Sequence, residues 1–168
     1  MSAQLHEPLT QLVRVRPMTL ADIPQVIGIE HDAYPYPWSE GIFRDCVRVG
    51  YLCRVVEMQG RIQGYGILSF GADEAHVLNI CIHRDLRDQG VGRRLLKYLL
   101  DQAVKAELHD AFLEVRPSNT PAIHLYESMG FVRVGVRKAY YQGSPTREDA
   151  WVYRLRLNPA AGGVNERV

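Results

Sequence analysis

The stretch DLRDQGVGRRLL, residues 85–96, places two glycines among three arginines directly before an amphipathic run. It follows the apolar segment VLNICI (77–82), which has the composition of a buried strand. At the start of a helix the backbone N–H groups lack partners within the helix, and the helix dipole adds positive charge. Gly90 and Gly92 have no side chain that would keep an anion away from these groups. The stretch therefore predicts a phosphate or pyrophosphate site between a strand and a helix.

Two common phosphate-binding loops do not fit this stretch. A Walker loop needs Lys followed by Ser or Thr, and no such pair follows Gly90. A dinucleotide-binding loop of the form G-x-G-x-x-G needs glycine at the position of Leu95. Both loops are excluded, and the glycine pattern alone leaves open that the arginines are solvated ahead of an ordinary helix.

The segments before residue 85 predict a strand, two helices and a three-stranded meander. Pro17 should stop the first strand, Thr19 with Asp22 should begin the first helix, and Ser39 should cap the second helix. The short linkers between the later strands have hairpin length. The expected elements are a strand at 11–16, a second helix through Val47, and strands at 51–58, 61–70 and 75–82.

The segments from residue 85 onward alternate between helix and strand. The expected elements are a helix at 90–107, a strand at 111–115, a helix from Asn119 or Thr120 to Gly130, and strands at 131–141 and 148–157. This order predicts an α/β fold of the α+β type with a mixed, mostly antiparallel sheet and about four helices. The strand–helix–strand crossover should leave one parallel strand pair. We expect a single domain over residues 1–168, with a core at about 13–157 and flexible ends.

The composition is that of an ordinary globular protein of 168 residues, 46% hydrophobic and 23% charged, with a mean hydropathy of −0.18. The net charge of +1 disfavours nucleic acid as a partner. The N-terminus lacks the basic and apolar regions of a signal peptide, and the sequence contains no apolar run of membrane-spanning length. We therefore expect a cytoplasmic monomer that binds neither membrane nor nucleic acid.

The cysteines and histidines do not form a metal-binding pattern. The three cysteines make no C-x-x-C, and we expect reduced, buried thiols. The six histidines show no H-E-x-x-H and no Cys/His ligand spacing. The sequence therefore predicts no metal.

Several motifs resemble the GNAT superfamily of N-acetyltransferases. RDQGVG (87–92) matches its [QR]-x-x-G-x-[GA] motif, and NTPAIHLYESMGF (119–131) resembles its N-x-x-A-x-x-[LF]-Y-x-x-x-G-F segment. YPWSE (36–40), LEVRPSN (113–119) and RKAYYQGSPTREDAWVYRL (137–155) resemble segments of bacterial ribosomal-protein-alanine N-acetyltransferases. The resemblance covers about residues 13–157.

The resemblance implies a parallel strand pair splayed around acetyl-CoA and direct acetyl transfer in a ternary complex. It implies that the acceptor is the N-terminal α-amine of a protein, specifically the N-terminal alanine of a small-subunit ribosomal protein. A broader N-terminal or lysine acetyltransferase and a non-catalytic acyl-CoA sensor stay open as alternatives. The presence of both Glu114 and Tyr126 argues against the sensor.

The resemblance also implies which residues bind acetyl-CoA. Backbone amides of the glycine loop should bind the pyrophosphate; the loop residues are Arg87, Asp88, Gln89, Gly90, Val91, Gly92 and Arg93. The backbone of Ile80, Cys81 and Ile82 should pair with pantetheine and polarise the thioester carbonyl. Asn119 should lie near the pantetheine and phosphate, although the residue pattern alone favours a helix cap.

Two residues carry the expected chemistry. Glu114 takes the position of the general base, acting through water; the alternative is a solvent-facing carboxylate or an ion pair with Arg116. Tyr126 takes the position of the general acid that protonates the leaving thiolate, and its ring can also pack in the core. Cys81 is not expected to act as a nucleophile, because His83 is a poor candidate for its base.

The expected acceptor channel is bordered by Trp38, Glu40, Tyr140 and Tyr141. This assignment follows from the resemblance of the PWSE and YY segments. Glu30, Asp32 and Glu40 are further candidates for acidic contacts with a basic peptide.

Overall fold

The computed structural model describes residues 12–158 and 163–164. This part of the chain contains four α-helices and eight strands. The helices are α1 (Ile23–Ala33), α2 (Glu40–Arg48), α3 (Val91–Lys105) and α4 (Thr120–Ser128). The strands are β1 (Arg14–Pro17), β2 (Leu52–Met58), β3 (Arg61–Phe70), β4 (Glu74–Ile82), β5 (Asp110–Val115), β6 (Val132–Tyr141), β7 (Glu148–Asn158) and β8 (Gly163–Val164).

The strands follow the order β1-β2-β3-β4-β5-β7-β6, with β8 added to β7. β4 and β5 pair in parallel from Glu74–Asp110 to Val77–Leu113. The β1–β2, β5–β7 and β6–β7 pairs are antiparallel. The mixed sheet with a parallel pair, expected from the strand–helix–strand order, is confirmed.

The chain divides into two compact units. The first unit contains the residues up to Ile67 together with Asn79–Leu96, and the second contains Leu68–Leu78 together with the residues from Lys97 onward. The single-domain assignment stays a prediction.

Side-chain hydrogen bonds fix the 3-10 turn Leu20–Asp22 that precedes α1 and the start of α2. The backbone N–H of Thr19 donates to Asp22 at 2.8 Å, and Arg16 holds the same carboxylate with bonds of 2.8 and 2.9 Å. Ser39 caps α2 by accepting from the Ile42 N–H at 3.3 Å. The core of this unit includes the fully buried side chains of Ile23, Val26, Phe43, Val55, Val56, Tyr65, Ile67, Leu95 and Leu96.

The second unit is built on the alternation along β5. Ala111, Leu113 and Val115 are buried, so Asp110 and Glu114 lie on the opposite face. The largest fully buried side chains of this unit are Leu68, Leu99, Leu100, Leu113, Met129 and Tyr153.

Element ends differ from the expectations by one to three residues. The first strand starts at Arg14, and the predicted start at residue 11 lies outside the described residues. α3 ends at Lys105 rather than 107, because Glu107 adopts φ 60° and the Leu108 N–H bonds back to the Ala103 carbonyl at 3.1 Å. In the tail, Gly163 and Val164 pair with the end of β7.

Candidate active site

The glycine loop at 87–93 leads into α3 in the first unit. Asp88 and Gly90 have φ angles of 59° and 80°, in the left-handed region of the backbone. Glycine adopts this region at little conformational cost. The Arg94 N–H donates to the Gly90 carbonyl at 3.1 Å and begins the ladder of the helix. Val91 and Gly92 lie in the first turn of α3. Their N–H groups therefore have no acceptor carbonyl one turn earlier within the helix. The loop therefore has the backbone arrangement expected of an anion site.

Two side chains of this loop brace it against the backbone. Nε of Arg87 donates to the Ile82 carbonyl at 3.1 Å, and Nε2 of Gln89 donates to the Asp85 carbonyl at 3.1 Å. These bonds tie the loop to the end of β4 and to the turn before α3. The Nε–H group of Arg87 is thus occupied by a hydrogen bond that stabilises the loop.

The end of β4 was expected to contribute its backbone at three residues. Cys81 and Ile82 are buried as expected, but Ile80 is only half-buried and its carbonyl accepts from the Tyr34 hydroxyl at 3.3 Å. Burial raises the pKa of the Cys81 thiol above its ordinary value. A thiol that stays protonated is a poor nucleophile, which agrees with the expectation for Cys81.

A buried carboxyl group on α1 connects the core of the first unit to the PWSE segment. Glu30 is only 2% exposed, and its Oε2 accepts from the Tyr65 hydroxyl and from Nδ2 of Asn79 at 3.1 Å. Its Oε1 accepts from the Trp38 backbone N–H at 3.1 Å. The suggestion that Glu30 contacts a basic peptide is therefore wrong, because all of its described bonds are internal.

Aromatic packing also holds the Trp38 side chain of the PWSE segment. The Trp38 ring lies 5.3 Å from the Phe43 ring, which meets the Tyr65 ring edge-on at 5.4 Å. Glu40 is exposed and pairs with Arg44 at 2.6 Å. Trp38 is thus fixed through both its backbone and its ring, whereas Glu40 lies on the outer surface.

Glu114 forms two ion pairs in the second unit. Its Oε2 lies 2.5 Å from Nε2 of His76 on β4, and its Oε1 lies 3.2 Å from Nε of Arg137 on β6. The Glu114 side chain is 10% exposed, against 35% for His76 and 55% for Arg137. Arg116, the partner considered from sequence, pairs instead with Glu148 at 3.1 Å.

These partners keep Glu114 ionised. Burial acts to raise the pKa of the Glu114 carboxyl, but the hydrogen bond and charge of His76, followed by those of Arg137, outweigh it. The pKa of Glu114 therefore lies below its ordinary value. A carboxylate in this state is suited to stabilising a cation beside it.

The two tyrosines at the end of β6 lie beside this cluster. Their rings are 5.0 Å apart, and the Arg116 guanidinium stacks 4.4 Å from the Tyr141 ring. Burial, and next the charge of Glu114, raise the pKa of Tyr141 above its usual range. Tyr140 is 47% exposed. The pair offers a partly open aromatic surface next to the carboxylate.

Glu148, within the E-D-A segment, shapes the connection from β5 to α4. Its carboxylate accepts from the Ser118 backbone N–H and hydroxyl, both at 3.0 Å, as well as from Arg116. Burial opposes the shift, but the bonds of Ser118 and then Arg116 lower the pKa of Glu148. The connection is thus held by an ionised carboxylate.

The start of α4 is capped as the residue pattern alone predicts. Oδ1 of Asn119 accepts from the Ala122 N–H at 3.4 Å. Tyr126 is 7% exposed, and its ring lies 5.9 Å from the Phe131 ring. The ring of Tyr126 therefore packs in the core of the second unit, as expected.

The sequence-predicted residues fall into two groups. Trp38, Glu40, residues 80–82 and the glycine loop belong to the first unit, and Glu114, Asn119, Tyr126, Tyr140 and Tyr141 belong to the second. The sequence reasoning missed His76 and Arg137. A polar residue at 76 within the apolar strand AHVLNICI was the available signal for the first of them.

Within the described residues, no group of three or more His, Cys, Asp or Glu side chains could hold a metal ion. None of the helices described has the length and apolar character needed to cross a bilayer.

Residues 23–131 match the acetyltransferase (GNAT) family. The chain is 37% identical over 137 residues to the [ribosomal protein bS18]-alanine N-acetyltransferase of Escherichia coli, covering 82% of this chain and 93% of that protein. It is 32% identical over 146 residues to the putative enzyme of that name from Bacillus subtilis, covering 86% and 95%. The crystal structure of the Escherichia coli ribosomal-protein-S18-alanine N-acetyltransferase superposes with a TM-score of 0.80 at 35% identity, covering 86% of this chain and 93% of that one.

Proposed function

The chain belongs to the acetyltransferase (GNAT) family, and we propose that it acetylates the N-terminal α-amine of a protein with acetyl-CoA. The names of its relatives support the N-terminal alanine of a small-subunit ribosomal protein as acceptor. The observation that carries the proposal is Glu114, a nearly buried carboxylate kept ionised by two cationic or hydrogen-bonding partners. Such a group can support the removal of a proton from an amine through a neighbouring group, by stabilising the positive charge that forms there.

The backbone of the glycine loop would bind the pyrophosphate of acetyl-CoA. The positive φ angles at Asp88 and Gly90, followed directly by the first turn of α3, fit an anion site. Arg87 and Arg93 would flank the phosphates. The backbone at Ile80–Ile82 would bind pantetheine, and Asn119 would combine this contact with its helix cap.

Glu114 would support deprotonation of the acceptor. An α-amine titrates near pH 8 and a lysine side chain near 10.4, so an N-terminal amine already contains a neutral fraction at pH 7. A modest base therefore suffices for this acceptor. We assign that role to Glu114, acting through an intermediary between it and the amine.

Tyr126 would donate a proton to the sulfur as the C–S bond breaks. A phenol titrates near pH 10, which is close enough to a thiol for transfer to a leaving thiolate. Because the buried Cys81 has a raised pKa, a cysteine acyl-enzyme is disfavoured. We therefore propose direct transfer from the thioester to the amine.

The acceptor would be bordered by Trp38 and by the pair Tyr140 and Tyr141. The carboxyl of Glu30 fixes the Trp38 backbone in the first unit, and Arg116 stacks on Tyr141 in the second. Glu40 would contact the peptide only by giving up part of its pair with Arg44. A cytoplasmic location, a monomeric state and the absence of nucleic-acid, membrane and metal binding stay predictions from the sequence.

Three peptides would test the proposed acceptor. The first has a free N-terminal alanine, the second has the same sequence with a blocked N-terminus and one internal lysine, and the third replaces the alanine by a bulky residue. We expect acetyl-CoA turnover on the first peptide, with the acetyl group located on the α-nitrogen by mass spectrometry. Reaction of the lysine peptide alone would exclude the N-terminal assignment, and acetyl-CoA binding without turnover on any peptide would favour the sensor.

A further inference from the structure

The imidazole of His76 contacts the Glu114 carboxylate and is partly exposed to solvent. Its Nε2 lies 2.5 Å from Oε2 of Glu114, and the His76 side chain is 35% exposed while that of Glu114 is 10% exposed. Within residues 12–158, no hydrogen bond to the second ring nitrogen, Nδ1, is described. The more accessible member of the pair is thus the imidazole.

The surroundings of Glu114 suit it better to stabilising a cation than to taking the proton itself. Each carboxylate oxygen already has a partner, His76 on Oε2 and Arg137 on Oε1. A carboxylate stabilised in this way is a weak base, whereas an imidazole titrates closer to neutral pH. A buried carboxylate that bonds one ring nitrogen fixes the tautomer and leaves the other nitrogen as acceptor.

We infer that His76 takes the proton from the acceptor amine and that Glu114 positions the imidazole and stabilises its protonated form. This inference rests on the proposed function and makes His76 the intermediary through which Glu114 acts. Nε2–H donates to Glu114, and the Nδ1 lone pair accepts the proton, directly or through water. His76 is then a catalytic residue and Glu114 a positioning one.

The protons balance in this scheme. The N-terminal ammonium loses one proton to Nδ1 of His76, and the freed nitrogen lone pair forms the C–N bond to the acetyl carbon. The C–S bond breaks, and the thiolate takes the proton of the Tyr126 hydroxyl. The nitrogen loses its second proton, which restores the Tyr126 hydroxyl, and His76 releases its proton to solvent. One proton leaves per acetyl group transferred.

Other charged and titratable groups lie on the strands around this pair. Glu74 is on β4, and Asp110 on the same face of β5 as Glu114 pairs with Arg154 of β7 at 2.8 Å. From β6, Arg137 contacts Glu114, and Tyr141 lies within its electrostatic reach. Asp110 is thus paired with Arg154, and Glu114 is the carboxylate that contacts the imidazole.

Two substitutions separate proton transfer from positioning. His76→Gln keeps an N–H that reaches about as far as Nε2 and can still bond Glu114, but it has no basic nitrogen. His76→Ala removes both functions and leaves an exposed space that free imidazole can enter. His109→Ala is the matched control, because His109 is an exposed histidine of the same unit with no described side-chain bond within residues 12–158.

We expect His76→Gln to lower kcat about 100- to 1000-fold with the KM for acetyl-CoA unchanged. The acid limb of kcat/KM should lose one protonation step, and added imidazoles should restore His76→Ala in the order of their basicity. Addition of Glu114→Gln to His76→Ala should weaken this rescue. Circular dichroism melting checks that each variant is folded.

Wild-type kinetics in His76→Gln, or no rescue of His76→Ala by imidazole, would overturn the inference. Either result, obtained while the wild type acetylates the alanine peptide and Glu114→Gln is impaired, leaves the proposed function standing. If the wild type does not acetylate any N-terminal amine, the proposed function itself fails.

Discussion

Glu30 and Glu114 are both nearly buried glutamates, but the groups that surround them differ in kind. Glu30 on α1 accepts three bonds from a phenol, an amide side chain and a backbone N–H. Glu114 on β5 faces an imidazole and a guanidinium. The first carboxyl group is surrounded by neutral donors, whereas the second contacts a guanidinium and an imidazole, the side-chain type that most often transfers protons in enzymes.

We propose that this difference separates a structural carboxyl group from a functional one. The partners of Glu30 belong to the core and to the PWSE segment, so its bonds fix the position of Trp38. The partners of Glu114 are partly exposed, so protons can reach the cluster from solvent. Burial alone would not distinguish the two residues; the chemistry of the donors does.

Substitution of Glu114 should have the largest effect, and this effect should be on kcat. Glu114→Gln should lower kcat about 100- to 1000-fold, because general acid–base assistance contributes about this much and the amide cannot stabilise a protonated imidazole. Steady-state kinetics with the alanine peptide would measure this loss. Asp110→Asn, a change to another ion-paired carboxylate on the same face of β5, should stay within about 2-fold of wild type. Equal losses in both variants would mean that Glu114 has no special role.

Glu30→Gln should reduce stability rather than chemistry. All three groups around Glu30 donate to it, so one amide N–H of glutamine must face another donor, at a cost of about 1–3 kcal/mol in the free energy of unfolding. Urea unfolding would measure the loss, and kinetics should show a raised KM for the peptide with kcat largely kept. Asp101→Asn, which breaks an exposed pair with Lys97, should cost less than about 1 kcal/mol. A large fall in kcat without loss of stability would contradict a structural role for Glu30.

The pH dependence of stability should also depend on Glu114. Its folded pKa lies below its ordinary value, so the ion pairs contribute stability above the unfolded pKa, near 4.5, and lose it as the pH falls through the folded pKa. Glu114→Gln should therefore be less stable than wild type at pH 7, and this difference should shrink toward pH 3. Urea unfolding at several pH values would show it. A difference that grows in acid would mean that the carboxyl is protonated more easily in the folded protein.

Arg137→Gln should have the smallest effect of the four. The guanidinium is 55% exposed and lies 3.2 Å from Glu114, so solvent screens much of its charge. We expect a loss of less than about 5-fold in kcat/KM and a small rise in the pKa of Glu114. A loss as large as that of His76→Gln would instead indicate that Arg137 contributes equally to the function of the cluster.

Much of the fold could be predicted because its signals are local. Ser39 and Asn119 cap α2 and α4 as their positions indicate, and the strand–helix–strand order produces the parallel β4–β5 pair. The glycine pattern alone left the role of the loop open, and its resemblance to the family motif favoured a pyrophosphate site. Element ends were less predictable, since the end of α3 depends on the left-handed backbone at Glu107.

The candidate site was only partly predictable. Glu114 and Tyr126 could be chosen through their motifs, but the partner of Glu114 could not, since Arg116 is a sequence neighbour and His76 is 38 residues away. The role of Glu30 was predicted wrongly. Its acidic side chain indicates an exposed contact, whereas Tyr65 and Asn79 enclose it from other elements.

The sequence by itself determined the order of the elements, the position of the glycine loop before α3 and the family resemblance, because caps, periodicity and glycine spacing act over a few residues. Only the tertiary structure determined the hydrogen-bond and ion-pair partners of each carboxylate. These are His76 and Arg137 for Glu114, and Tyr65, Asn79 and the Trp38 N–H for Glu30. The physical reason is that the ionisation and the function of a buried carboxyl depend on the donors around it. Packing brings those donors together from separate strands and helices.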